Sequence, residues 1–148
     1  APEGVEAQGF RTVNITDPGN AESIITVGAT HSNKPHTYGV SYFSSKGPTG
    51  DGRLKPDLVA PGEKIESSCI SPDRNSKVQN ATEQRDGTSM SAPHVSGAAA
   101  LLLAKHRELI GNPKRVKEIL CSTATDLGRE KYFQGCGMVD VLRAIQSV

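Results

Sequence analysis

The amino-acid sequence predicts an α/β domain built in layers, and two kinds of segment carry the prediction. A short apolar run rich in β-branched residues at 23–28 and a second short apolar run at 57–60 lie next to turn-forming residues, as is typical of buried strands. Later segments carry apolar residues at helical spacing, most clearly over 89–109. Short buried strands that are followed by helices indicate a layered α/β domain.

Extended segments and loops alternate in the first half of the chain. Besides the two runs just named, strands are predicted over 38–43 and 64–68, and a short extended piece is predicted over 10–15. The segments between them are polar or rich in glycine and proline, which is typical of loops. The predicted loops are 1–22 around that extended piece, 31–37 and 47–56, whereas 71–86 is polar and is assigned to no element.

The longest helix is predicted over 89–109. Pro93 lies in its first turn, where the early N–H groups have no helical partner, so the proline does no harm. Val95 and Leu102 belong to an apolar set at helical spacing. The small side chains of 97–100 (GAAA) allow neighbouring elements to approach closely, and we therefore expect a central, buried helix.

Two further helices follow. Asn112 is a suitable N-cap and Pro113 fits the first helical position, so a helix is predicted to begin there and to stop by Gly128. A third, shorter helix is predicted over 138–145. No internal repeat or domain boundary is evident.

The charge pattern excludes several classes of function. The formal net charge is +1, which offers no reason to expect nucleic acid or an anionic membrane as the main partner. The basic clusters at 105–107 and 114–117 fall on predicted helices and indicate solvated helix faces. No apolar run approaches the ~20 residues that a membrane span needs, and the N-terminal residues do not have the pattern of a signal peptide.

The three cysteines, Cys69, Cys121 and Cys136, cannot all pair within the chain. Their spacing matches no zinc-binding pattern, because no two of them lie two to four residues apart. We expect three buried free thiols, and a Cys121–Cys136 disulfide is the alternative.

Ser89 is the candidate for chemistry. It stands at the start of the longest predicted helix, two residues after Gly87. Free N–H groups at a helix N-terminus attract negative charge, so a serine that attacks a carbonyl there meets a donor for the developing oxyanion. Gly87 leaves room for a substrate backbone. Serine is also a common helix N-cap, and the spacing alone does not separate the two roles.

The segment 87–97 (GTSMSAPHVSG) resembles the active-site serine motif of subtilases, the subtilisin-like serine proteases. The match is long and ungapped. Four other landmarks of the family resemble segments of this chain in the same order: 17–19 (DPG) with 24–29 (IITVGA), 43–48 (FSSKGP), 55–62 (KPDLVAPG) and 135–140 (GCGMVD).

The resemblance implies a three-layer subtilisin-like fold with a mostly parallel sheet between helices, of which residues 1–148 are the C-terminal portion of a single catalytic domain. It implies a serine endopeptidase in which Ser89 is the nucleophile, with substrate contacts at Gly19, Gly87 and Thr88. It also implies a cis peptide bond between Asp17 and Pro18. No cofactor is implied, although a weak structural calcium or sodium site is an option.

The family's aspartate and histidine motifs, D-[ST]-G and H-G-T-H, do not occur in this sequence. We therefore expect the chain alone to be inactive and its N-terminal half to supply the aspartate, the histidine and an oxyanion-binding asparagine. The partners would be that half and protein or peptide substrates. The resemblance slightly favours a secreted or extracytoplasmic protein, whereas three cysteines leave a cytoplasmic one open.

The same residues allow other interpretations. His94 lies about 140° around the helix from Ser89, and the family resemblance gives it a structural role. Ser91 is a weaker nucleophile candidate. Arg85 and Asp86 indicate either a charged cleft rim or a solvated loop. A non-catalytic pseudoprotease or binding module of the same fold is the main alternative function.

An α/β-hydrolase esterase is disfavoured on two grounds. Its G-x-S-x-G motif would need glycine at position 91, where this chain has serine. Its triad runs in the order serine, acidic residue, histidine, but no histidine follows Asp126 or Asp140 in this chain.

Overall fold

The computed structural model describes residues 14–69 and 82–148. Most of the predicted extended piece at 10–15 and of the segment 71–86 lies outside these residues. In chain order, the elements are the strand β1 (Val27–His31), the helix α1 (Pro35–Tyr38), the strands β2 (Leu58–Glu63), β3 (Ile65–Ser68) and β4 (Thr82–Arg85), and the helices α2 (Thr88–Lys105), α3 (Pro113–Ser122), α4 (Lys131–Gln134) and α5 (Val141–Gln146).

β2 is the middle of a small parallel arrangement. It pairs in parallel with β1, beginning at Val27 opposite Leu58. On its other side, Val59 donates from its N–H to the carbonyl of Gly137 and accepts from the N–H of Val139, both at 2.9 Å. Separately, β3 and β4 form an antiparallel ribbon. The chain therefore has the mixed α/β architecture that the sequence predicted.

The predicted strands at 57–60 and 64–68 are confirmed, but two others are placed differently. The strand predicted over 23–28 begins at Val27 instead, because only from there does the backbone pair with β2. The strand predicted over 38–43 is wrong. The preceding residues form α1, Gly39 takes a left-handed φ of 69°, and only Val40 makes an isolated bridge, to Thr30.

All three helix predictions hold in type, and the first two hold in their starting points to within one residue. α2 ends at Lys105, earlier than expected, and a 3-10 turn over Arg107–Leu109 occupies the remainder of the predicted helix. The helix predicted from Pro113 is confirmed with its cap, since the Asn112 side chain accepts from the Arg115 N–H. That helix ends at Ser122, well before Gly128.

α5 is shorter than the helix predicted over 138–145. It begins at Val141, where the Asp140 carboxylate accepts a hydrogen bond from the Arg143 N–H at 2.9 Å. The residues before it belong to the sheet, because Met138 bridges to both Val59 and Thr125. Hydrogen bonding to β2 therefore competes with the helix at this end.

The apolar core lies between the parallel strands and one face of α2, and α3 and α5 close it from the side. Leu58 from β2, Leu102 from α2 and Leu120 from α3 are fully buried in it. Burial of each such side chain contributes roughly 1.5–3 kcal/mol relative to leaving it in water.

α2 is only half covered, contrary to the expected burial on all sides. Val95, Ala98 and Leu102 face the core, but Gly97 and Leu101 are exposed, the latter by 57%. The described residues place the sheet and the other helices on one side of α2. The small and apolar residues on its opposite side are therefore open to solvent.

Asp57 connects three parts of the structure through buried charges. Its carboxylate accepts from Lys55 Nζ at 2.7 Å and lies 2.8 Å from Lys117 Nζ, which belongs to α3. The Thr26 N–H donates to the same carboxylate at 2.7 Å, and both lysines also donate to the Ile24 carbonyl. Burial lowers the pKa of Lys55, and its hydrogen bond to Asp57 opposes this.

Two sequence expectations concern single bonds and side chains. The Asp17–Pro18 peptide bond is cis, as the resemblance implies. Cys69, Cys121 and Cys136 are free thiols, but they are half-buried and not fully buried as expected. Within residues 14–69 and 82–148, no helix is both long and apolar enough to cross a membrane.

Candidate active site

The entry into α2 is fixed by a close approach between two glycines. The Gly87 N–H donates to the Gly62 carbonyl at 2.8 Å, which joins the helix start to the end of β2. A Cβ on Gly62 would lie 2.7 Å from the Ala29 Cβ and 2.9 Å from the Gly87 carbonyl oxygen, and it would collide with the Ser91 hydroxyl. Only glycine fits at Gly62 without displacing its neighbours.

Gly87 is the N-cap of α2, with a φ of 152°, in the range that favours glycine. Its carbonyl accepts from the Met90 N–H at 2.9 Å, which closes the first turn. Thr88 and Ser89 follow as the first two helical residues. Their N–H groups belong to the orphan donors of a helix start.

Ser89 is exposed, and no acidic residue lies in the first turn of α2. The partial positive charge of the helix N-terminus is therefore not compensated within that turn. An exposed hydroxyl beside free backbone donors provides two parts of a site for acyl transfer, a nucleophile and an anion-binding N–H.

The other two candidates on this helix are placed away from such a role. Ser91 is fully buried, and its Oγ has no hydrogen-bond partner among the described residues. A substrate carbonyl has no access to it. His94 is exposed, and its Nδ1 lies 2.7 Å from the Met90 carbonyl oxygen one turn back, where a protonated Nδ1 would donate.

Gly19 and Thr88 come together although they are far apart in sequence. Both line a cavity of about 190 Å³ that opens beside the start of α2. The Gly19 carbonyl accepts from the Thr26 hydroxyl at 2.6 Å, which fixes the loop after Pro18 against the strand segment. Gly87 does not line this cavity in the structure. Two of the three predicted substrate-contact residues thus share one concave surface.

The charges before Gly87 are already paired. Arg85 forms an ion pair with Glu83 on the same strand, at 2.9 Å. The Asp86 carboxylate accepts from the Lys64 N–H at 2.6 Å, and Lys64 has a left-handed φ of 53° in the turn between β2 and β3. The structure accordingly gives Asp86 a local role, as the partner of a strained turn.

Metal-binding clusters are not found in 14–69 and 82–148: no three His, Cys, Asp or Glu side chains converge there. The calcium or sodium site stays a prediction. Sequence reasoning missed Gly62 as a packing determinant and Asp57 as the centre of a charge cluster, although both belong to the quoted segment 55–62.

The family follows from comparison of the whole sequence. A family model described as the subtilase family matches residues 7–139. The chain belongs to the subtilase family. Among curated relatives of this subtilase, pyrolysin from Pyrococcus furiosus is 38% identical over 115 residues, which are 71% of this chain and 8% of pyrolysin. Serine protease AprX from Bacillus subtilis is 36% identical over 143 residues, 88% of this chain and 31% of AprX.

Solved structures confirm the subtilisin-like α/β fold. The CspB protease of Clostridium perfringens superposes with a TM-score of 0.72 and 31% identity, covering 91% of this subtilase chain and 29% of CspB. Fervidolysin from Fervidobacterium pennivorans, a keratinolytic enzyme related to subtilisin, gives a TM-score of 0.71 at 26% identity, with 91% and 22% covered. The subtilase chain therefore spans less than a third of the length of each of these four proteins.

Proposed function

We propose that this subtilase chain is the serine-bearing, C-terminal portion of a serine endopeptidase domain, with Ser89 as its nucleophile. The observation that carries the proposal is the exposed Ser89 hydroxyl in the first turn of α2, within the segment 87–97 that resembles the family's serine motif. The burial of Ser91 supports the choice between the two serines.

In the proposed reaction, Ser89 Oγ attacks the scissile carbonyl carbon of a protein or peptide substrate. A histidine from the rest of the protein takes the hydroxyl proton and later gives it to the leaving amine, while an aspartate orients that histidine. The oxyanion accepts a hydrogen bond from the Ser89 N–H and from an asparagine outside this chain. Gly19, Gly87 and Thr88 contact the substrate.

The N-terminal half of the same domain is the proposed partner of α2. Gly97 and Leu101 lie on the open side of the helix, where small and apolar residues face solvent. Covering that side would bury apolar surface at roughly 25 cal/mol per Å². The same half would supply the histidine and aspartate, so the chain alone should show no proteolysis. A secreted or extracytoplasmic location goes with this proposal.

Labelling with a fluorophosphonate probe tests the assignment on the protein expressed from its whole gene. We expect Ser89→Ala to abolish labelling and casein hydrolysis together. Ser96→Ala is the matched control, because Ser96 is an exposed serine two turns further along the same helix, and it should retain both signals. Labelling that survives in Ser89→Ala would refute the assignment.

If the unmodified protein from the whole gene is folded but is neither labelled nor active, the result would point to the alternative function, a non-catalytic module of subtilase fold. Circular dichroism of each variant separates loss of the nucleophile from loss of the fold. The purified chain of residues 1–148 should give no casein hydrolysis in the same assay, and Ser89-dependent turnover by it would overturn the proposed division of the site.

A further inference from the structure

Cys121 and Cys136 are brought together although fourteen residues separate them in sequence. Cys121 lies in the last turn of α3, and Cys136 lies in the turn after α4. Both reach the same backbone oxygen: the Cys136 N–H donates to the Asp57 carbonyl at 2.8 Å, and Cys121 Sγ lies 3.9 Å from it. These two contacts place both cysteines beside the same carbonyl oxygen.

The backbone around Cys136 is held in place. Gly135 and Gly137 flank it with left-handed φ angles of 59° and 121°. A Cβ on either glycine would collide with a backbone carbonyl, that of Asp57 or that of Thr125. Cys136 therefore cannot move away from Cys121 without breaking the hydrogen bonds that attach this turn to the sheet.

The electronic properties of the two sulfurs differ. The hydrogen bond from Cys121 lowers the pKa of Cys136 to about 7, with the nearby Lys131 charge adding to the effect against burial. The same hydrogen bond and burial raise the pKa of Cys121. Of the two sulfurs, Cys136 therefore loses its proton more readily than Cys121.

The two thiols are partly accessible, and a cavity opens beside Cys121. Both thiols are half-buried, and Cys121 lines a cavity of about 770 Å³ beside α3. Lys114 and Lys117 line the same cavity together with Glu22 and Glu118, so its charges balance.

We propose that Cys121 and Cys136 form a dithiol site that reacts with low-molecular-weight disulfides and closes into an intramolecular disulfide. The Cys136 thiolate attacks one sulfur of the small disulfide and expels a thiolate. Cys121 then attacks the Cys136 sulfur of the mixed disulfide, loses its proton to solvent and expels the second thiolate. The protein is oxidised by two electrons, and the small disulfide is reduced to two thiols.

Mass spectrometry after treatment with oxidised glutathione tests the site on the protein expressed from its whole gene. Trypsin cuts after Arg129 and Lys131 and so separates the two cysteines, which then lie on the peptides 118–129 and 132–143. We expect these peptides to be recovered linked, at a mass about 2 Da below their sum. Cys69→Ser is the matched control and should give the same linked pair.

Single-cysteine variants test the order of attack. Cys121→Ser should stop at a mixed disulfide, with one glutathionyl group on Cys136. Cys136→Ser should react more slowly, because it lacks the thiolate. A third measurement needs no variant and so does not depend on how the variants fold. Phenylarsine oxide bridges close dithiols, and it should protect both Cys121 and Cys136 of the unmodified protein from alkylation. Recovery of disulfides that involve Cys69, or no linked peptide at all, would overturn the proposal.

Discussion

The Gly87 N–H and the Gly62 carbonyl oxygen lie 2.8 Å apart, so the first residue of the serine-bearing turn is hydrogen-bonded directly to a sheet strand. β2 belongs to the core, with Leu58, Val59 and Ala60 fully buried. The position of Ser89 is therefore set by a strand of the buried core, with only Thr88 between Gly87 and Ser89.

We predict that Gly62→Ala destabilises the protein by about 1–3 kcal/mol, the usual cost of overpacking a tight site. The added methyl collides with the Ser91 hydroxyl and crowds Ala29. Denaturant unfolding measures the change. Gly50→Ala is the matched control, because nothing lies within 4 Å of a Cβ there, and it should change stability by less than about 0.5 kcal/mol.

Ser91→Ala should partly rescue Gly62→Ala. Removal of Ser91 Oγ opens the space that the new methyl needs, and that hydroxyl has no partner to lose among the described residues. A double-mutant cycle should show a favourable coupling of about 0.5–3 kcal/mol. Additive effects of the two substitutions would show that the contacts with the Ala29 methyl and the Gly87 carbonyl, and not the contact with Ser91, limit this site.

Asp57→Asn should cost about 3–5 kcal/mol, the range for removing one partner of a buried ion pair. Lys55 and Lys117 would remain beside a neutral amide, with side chains only 3% and 22% exposed. Thermal and denaturant unfolding measure the loss. Asp51→Asn is the control: Asp51 is an exposed carboxylate paired with Arg53, and we expect a much smaller effect from it.

Cys136 should be alkylated by iodoacetamide with a rate that rises through pH about 7 and then levels. Its folded-state pKa lies below the ordinary value, so the thiolate is favoured in the native state and gains population as the pH rises. Cys121→Ala removes the hydrogen-bond donor and should move the midpoint upward. An unchanged midpoint in that variant would show that the two thiols do not interact.

The isolated chain of residues 1–148 should associate or unfold without a sharp transition. The open side of α2, with Leu101 at its centre, exposes apolar surface that favours association. Size-exclusion chromatography and thermal unfolding examine this directly. A monodisperse monomer with cooperative unfolding would contradict the expectation and would show that one covered face of α2 is sufficient.

Local signals in the sequence predicted the features that depend on local structure. Asn112 and Pro113 start α3 because a capping side chain and a fixed φ act within one turn. The motif around Ser89 likewise predicted a helix that begins at that serine, to within one residue. The identity of the candidate nucleophile needed no long-range information.

The features that were predicted wrongly or missed depend on residues that are distant in the sequence. β1 begins four residues later than its apolar run because its limits are set by pairing with β2. The strand predicted at 38–43 is lost because Gly39 turns the chain, and its Cα faces the Arg129 guanidinium from the other end of the sequence. The approach of Cys121 to Cys136 and the charge cluster around Asp57 have the same long-range origin.

The hydrogen bond between Gly62 and Gly87 also makes the position of α2 independent of the length of the chain between these two glycines. β3 and β4 stand in the chain between Gly62 and Gly87, and the β4 residues are exposed. Because the start of α2 takes its position from β2, insertions or deletions between β3 and β4 should leave the position of Ser89 unchanged. The length of the chain between Gly62 and Gly87 can therefore vary, whereas the position of the Ser89 hydroxyl stays fixed.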